Sequence, residues 1–128
     1  MYTLTSNDFE SWLRGYKAAW EGRDSAAAAA LFAPDAEYYW TPFDAPQRGR
    51  EGVAAAWSGA VQGQRDITFR FTILGVSGAR GTAHWNARFT SVPGGASVEL
   101  DGIAVTEFAG AMQCRVFREW WHQRSEPG

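Results

Sequence analysis

One cysteine, two histidines and no run of lysine or arginine are all this sequence offers to several common chemistries. Cys114 has no partner for an internal disulfide, and no Cys/His cluster carries the spacing of a zinc site. The sequence therefore predicts no metal and no cofactor. With only His84 and His122 available, a Ser/His/Asp or Cys/His nucleophile cannot be assembled from plausible neighbours. The formal net charge is −2 and the pI near 5.6. Without a concentrated basic patch, nucleic acid and an anionic membrane surface are poor partners. No stretch approaches the length of a membrane span. Met1-Tyr2-Thr3-Leu4 is neither basic nor apolar, so no signal peptide is expected and the predicted setting is cytoplasmic.

Aromatic residues are what the chain has in excess, with seven Trp and eight Phe in 128 residues. That length suits one domain, 1–128, burying roughly two-thirds of its unfolded surface. Large aromatics fill cores, and they also line pockets for apolar ligands.

Thr5 followed by Asp8 predicts a helix start. Phe9, Trp12, Leu13, Tyr16 and Trp20 then recur at helical spacing until Gly22. Asp24 can cap a second helix, Ser25 to Phe32, ended by Pro34. Ala36 to Trp40 reads as a short strand and Thr41 to Pro46 as a loop. Gly49 to Gly63 holds a third helix with Val53, Trp57, Ala60 and Val61 on one face.

The period then becomes two. Ile67, Phe69, Phe71 and Ile73 alternate with polar residues, as do Trp85, Ala87 and Phe89. Pro93-Gly94-Gly95 makes a turn into a strand from Ser97 to Phe108, in which Gly102 marks a bulge. A turn at Ala109-Gly110-Ala111 precedes a last strand, Met112 to His122, and a frayed tail. The ordered core is thus expected over about 6–122. Helices first and strands after give an α+β fold.

Several stretches carry a resemblance to a known family: Tyr16-Lys17-Ala18-Ala19-Trp20, Gly22-Arg23-Asp24, Leu31-Phe32-Ala33-Pro34-Asp35-Ala36, Gly49-Arg50-Glu51-Gly52-Val53, Leu100-Asp101-Gly102 and Glu119-Trp120-Trp121. From Asp8 to His122 the chain resembles the nuclear transport factor 2-like superfamily, which includes SnoaL-like polyketide cyclases, ketosteroid isomerases, scytalone dehydratase and limonene epoxide hydrolase. The resemblance implies a cone-shaped, strongly curved antiparallel sheet, mixed at its edge, with three N-terminal helices enclosing a pocket. It also implies a homodimer through the outer sheet face.

Set against the ketosteroid isomerases, Tyr16 matches the tyrosine that donates to the developing oxyanion. Trp40 stands where the resemblance calls for the proton-transferring carboxylate, and Ala104 where it calls for a protonated aspartate. Phe32 and Trp57 stand where supporting tyrosines can occur. Steroid isomerisation by that mechanism is therefore not expected.

Tyr16 and Glu119 are the candidate catalytic residues. Tyr16 is either a core tyrosine or a donor to a ligand oxygen. If Phe117, Glu119 and Trp121 face the cavity, Glu119 is poorly solvated and its pKa rises towards the range of acid–base work. Otherwise it pairs with Arg88, Arg115 or Arg118. Candidate ligand-binding residues are Trp20, Tyr38, Trp40, Trp57, Trp85, Phe89, Thr106, Phe117 and Trp121, unless these aromatics simply fill the interior. Asp101, beside Gly102, is expected to fix a turn or bulge. An epoxide hydrolase would need two carboxylates and an arginine. Glu119, Arg88 and Asp101 come nearest, but strand parity opposes their convergence. His84 is expected to face away from the pocket.

Three functions follow. One is a small cofactor-independent enzyme of isomerase, cyclase, dehydratase or hydrolase type acting on an apolar organic molecule. The others are a non-catalytic binding module for such a molecule and a structural dimerisation domain.

Overall fold

Thr5 opens the first helix as predicted, its hydroxyl accepting from the Asp8 backbone N–H at 3.1 Å. In this computed structural model, which describes residues 2–128, that helix is α1 (Ser6–Glu21). Its buried stripe is Phe9, Trp12, Leu13, Tyr16, Ala19 and Trp20, the predicted face with Ala19 added. Lys17 and Glu21 hold α1 to the sheet. Lys17 Nζ donates to Glu21 and to the Phe69 carbonyl, both at 2.6 Å, and Glu21 accepts from the Phe69 N–H at 2.8 Å.

The elements that follow are α2 (Ser25–Ala29), β1 (Phe32–Tyr39), β2 (Gln47–Arg48) and α3 (Gly49–Val61). Four long strands complete the chain: β3 (Gln64–Ser77), β4 (Arg80–Ser91), β5 (Ser97–Gly110) and β6 (Gln113–Glu126). The sheet runs β2-β1-β6-β5-β4-β3. Its neighbours are antiparallel except β1 and β6, which are parallel. Three helices thus lie against a six-stranded, mixed, curved and unclosed sheet. Register shifts in the β1/β6, β3/β4 and β5/β6 pairs help to bend it.

Several boundaries differ from the sequence-based expectation, each for a tertiary reason. The second helix stops at Ala29 rather than Phe32, because Leu31 and Phe32 are claimed by other partners. The Leu31 carbonyl accepts from Trp12 Nε1 at 2.7 Å and from the Cys114 N–H at 3.0 Å. The Phe32 carbonyl accepts from Arg50 Nε at 2.8 Å. Pro34 falls inside β1, between Phe32 and Glu37 where the register with β6 breaks and no ladder N–H is required.

The β5–β6 turn lies at Ala111-Met112, with Met112 at φ 59°. The tail is not frayed. β6 pairs with β5 as far as Ser97↔Glu126, tied there by Arg124 to Glu99 at 2.6 Å. Gly102 is not a bulge either, for the β4/β5 register runs through it unbroken. Its strand partners are Trp85 and Trp121, and an added Cβ would come within 2.8 Å of Trp121 Cβ. Glycine is needed there for close approach.

Candidate functional site

Large and small residues are distributed unevenly over the concave face. Towards the β5–β6 turn, Trp12 packs against Phe32, Phe108 and Phe117, and Phe9 covers Gly81. At the other end the inward positions Ala87, Gly102 and Ala104 are small and buried, next to the cavity-lining Trp85, Glu119 and Trp121. Small side chains beside large ones leave room. A cavity of about 240 Å³ opens there.

Tyr16 and Trp20 reach it from α1, one turn apart, Tyr38 from β1 and Trp40 from just beyond its end. Trp57 comes from α3, Trp85 and Phe89 from β4, and Glu119 and Trp121 from β6. Both predicted catalytic residues and seven of the nine predicted ligand-binding residues therefore meet around one void.

Thr106 and Phe117 do not reach it. They point inward, as their strand parity requires, but at the filled end. Thr106 spends its hydroxyl on the Gly81 carbonyl at 2.8 Å. Phe117 lies stacked on Tyr38, centroids 4.5 Å apart and planes 9° from parallel, so it supports the wall from behind.

Glu119 is the distinctive group. Its side chain is buried at 6% relative exposure and faces the cavity. It makes no ion pair or side-chain hydrogen bond among the described residues. The arginines that could have neutralised it are engaged elsewhere. Arg88 pairs with Glu99, Arg115 with Asp35, and Arg118 lies over the Tyr39 ring. Burial alone pushes the Glu119 carboxyl well above the usual carboxylate range, since no opposite charge compensates the lost hydration. It is directly paired with Ala104 across β5, whose methyl occupies little of the space before it.

The Tyr16 hydroxyl lies 2.8 Å from that of Tyr38. Burial, together with the nearby Glu119, raises both phenols well above their ordinary range, so each keeps its proton. Two hydroxyls sharing one hydrogen bond leave one proton to offer. Phe32 and Trp57, standing where supporting tyrosines can occur, have no phenol to offer, and the partner of Tyr16 is Tyr38, expected from the sequence only as a ligand-binding residue. A neutral phenol beside a neutral carboxyl gives two donors for a ligand oxygen, and the carboxyl can also exchange a proton with a substrate.

The entrance is bordered by Trp121, whose indole N–H donates to the Trp40 carbonyl at 2.9 Å. Beyond it, an outer groove reaches Phe43, which is 94% exposed, and Trp120, 48% exposed. The triad considered for epoxide opening does not assemble. Arg88 and Asp101 lie on the opposite sheet face from Glu119, where His84 Nε2 is 2.9 Å from Asp101 and Asn86 also bonds it. Asp101 thus joins a surface network rather than fixing a bulge. Gln64, Ala60, Leu100 and Gln123 also line the cavity. The sequence placed Ala60 on the Trp57 face of the third helix, but it named none of the four as cavity residues, because each is ordinary in type.

A family model described as a SnoaL-like domain matches residues 13–116. The chain belongs to the SnoaL-like family. Among solved structures, this SnoaL-like chain is similar to the epoxide hydrolase/cyclase-like enzyme SalBIII, associated with pyran ring formation in the polyether salinomycin. That match has 15% identity, covers 91% of this chain and 92% of that one, and has a TM-score of 0.77. It is also similar to a hypothetical protein of ketosteroid isomerase-like fold from Catenulispora acidiphila, solved with trimethylamine (16% identity, 85% and 83% coverage, TM-score 0.76). A computationally designed 17-OHP binder is a third (16% identity, 93% and 97% coverage, TM-score 0.80). At these identities the likeness is one of fold. No curated protein matches. No helix among the described residues is long and apolar enough to cross a membrane.

Proposed function

We propose that this SnoaL-like chain is a cofactor-independent enzyme of isomerase, cyclase, dehydratase or hydrolase type, acting on an apolar organic molecule held in the indole-lined cavity. One observation carries the proposal: a buried carboxyl, Glu119, faces that cavity with neither cation nor hydrogen-bond partner, beside the Tyr16–Tyr38 hydroxyl pair. An unpaired buried acid is costly to keep, and perturbed acids in clefts often have a proton to move.

In the proposed step the neutral Glu119 carboxyl gives its proton to a substrate oxygen while the phenol pair stabilises charge on the same oxygen or its neighbour. The carboxylate so formed takes a proton back from the substrate, so the cycle closes without a redox partner. The cyclase-like activity named for one structural neighbour suits this reading.

A second reading, a binding module without chemistry, is favoured by Trp40 and Ala104. They provide no second carboxylate in the cavity, and a designed binder shares the fold. The test is turnover and affinity of the Tyr16→Phe and Glu119→Gln variants across a panel of ketones, epoxides and phenols. Turnover lost with affinity kept supports the enzyme. Affinity changed with no turnover on any compound supports the binder.

The same reading includes a homodimer through the outer sheet face, where His84, Asn86, Arg88, Glu99 and Asp101 make a mixed, polar surface. It also includes a cytoplasmic location, suited to the lone free thiol of Cys114. Sedimentation of the wild type against an Asn86→Trp variant checks the interface, with a monomeric wild type contradicting it.

A further inference from the structure

We infer that Gln64 is a second anchor in the cavity, and that the occupant carries two acceptor oxygens, one for the Tyr16–Tyr38–Glu119 end and one for the Gln64 amide. This rests on the reading that the cavity takes an apolar organic molecule, and it adds which polar pattern that molecule bears.

The orientation of the Gln64 amide follows from chemistry. Trp20 Nε1 lies 2.8 Å from Gln64 Oε1. An indole N–H can only donate, so the amide oxygen must face it and the NH₂ group must face away. That NH₂ group has no side-chain or backbone partner among the described residues, and Gln64, half-buried at the start of β3, is part of the cavity wall. Trp20 thus uses the acceptor of Gln64 and leaves two N–H groups to offer.

The rest of the wall leans the same way. Trp57 Nε1 and Trp85 Nε1 are fully buried without any partner among the described residues, and both are donors on wall residues. The Tyr16–Tyr38 pair retains one unshared proton. On the acceptor side stand the oxygens of Glu119 and that of Gln123, an exposed residue whose amide nitrogen is bonded to Ser125 at 3.3 Å. A ligand rich in hydroxyl or amine donors meets a wall already supplied with them. A diketone, or a ring bearing a ketone and an ether or lactone oxygen, satisfies it. Gln64 is accordingly a specificity-determining residue that selects the second oxygen and takes no part in the chemistry at the first.

The probes are trans-1-decalone and trans-1,5-decalindione, which share a carbon skeleton and differ by one carbonyl. Their affinities are measured by calorimetry on the full chain, in wild type and in the Gln64→Met and Gln64→Glu variants. Gln64→Glu keeps an oxygen for Trp20 but has no NH₂ group. Gln64→Met removes both, and thermal melting confirms that each variant is folded. The expected result is that the dione-to-monoketone preference falls roughly three- to tenfold in both variants, the worth of one net hydrogen bond. A preference unchanged in Gln64→Glu overturns the inference and leaves the cavity reading in place, because Gln64 then serves only to hold Trp20. Binding of neither probe to wild type overturns the cavity reading and this inference with it.

Discussion

The two ends of the concave face have similar aromatic content and opposite character. At the β5–β6 turn, Trp12 is fully buried, stacks or edges against four neighbouring rings, and satisfies its indole on the Leu31 carbonyl. At the far end, Trp57 and Trp85 are also buried, yet their indole nitrogens have no partner among the described residues and their rings border a void. The difference lies in what the rings meet. Trp12 packs on Phe32, Phe108 and Phe117 at the first end, whereas small Ala87, Gly102 and Ala104 lie next to the indoles of the second. A protein spends stability on an unsatisfied end when the missing partner is supplied by something else.

Truncation tests this contrast most strongly. Trp12→Ala is expected to cost about 3–5 kcal/mol, since it opens a cavity in a filled region and removes the indole hydrogen bond to the Leu31 carbonyl. Trp57→Ala is expected to cost distinctly less, because it enlarges an existing void and breaks no hydrogen bond. Urea denaturation measures both, and equal losses would break the comparison. Gly102→Ala should follow at about 1–3 kcal/mol, since a methyl driven against Trp121 and the Trp120 carbonyl must displace β6 locally.

The Glu119 prediction concerns pH. In the unfolded chain this carboxyl ionises near pH ~4.3, and in the folded protein only at higher pH. Between those values the folded state holds a proton that the unfolded state has lost. The stabilisation is complete below the unfolded pKa, declines as pH rises through the window, and levels off once the folded carboxyl has ionised. The slope there is at most about 1.4 kcal/mol per pH unit. Glu119→Gln should remove this component of the pH–stability curve, and an unaltered curve would show that the carboxyl is solvated. The smallest expected effect belongs to Tyr38→Phe, about 0.5–1.5 kcal/mol from the lost hydroxyl pair, with a matching change in ligand affinity.

Much of the fold was legible in the sequence. The periods of 3.6 and 2 located α1, α3 and the long strands, and the family motifs supplied the bowl. The misplaced features were ones that tertiary partners decide. Leu31 and Phe32 look helical locally, but Leu31 is held in a turn by Trp12 and Cys114, and Phe32 opens β1 with its carbonyl bonded by Arg50. The polar tail looks frayed until Arg124 meets Glu99. Gly102 looks like a bulge until Trp121 is seen pressing on it. In the site, the sequence left Glu119 either facing the cavity or paired with an arginine, and the structure turns it inward. Alternation does not say how far along a strand the void extends, which is why Thr106 and Phe117 were misassigned. Gln64 carries no signal at all in isolation, because its meaning comes from an indole 44 residues away in sequence.

The most direct test of the central claim is a crystal structure of the protein soaked with trans-1-decalone. The account predicts electron density inside the indole ring with the ketone oxygen within about 3.2 Å of a Tyr16 or Tyr38 hydroxyl and of the Glu119 carboxyl. A closed interior with Glu119 turned to solvent, or ligand bound only at the surface, would contradict it.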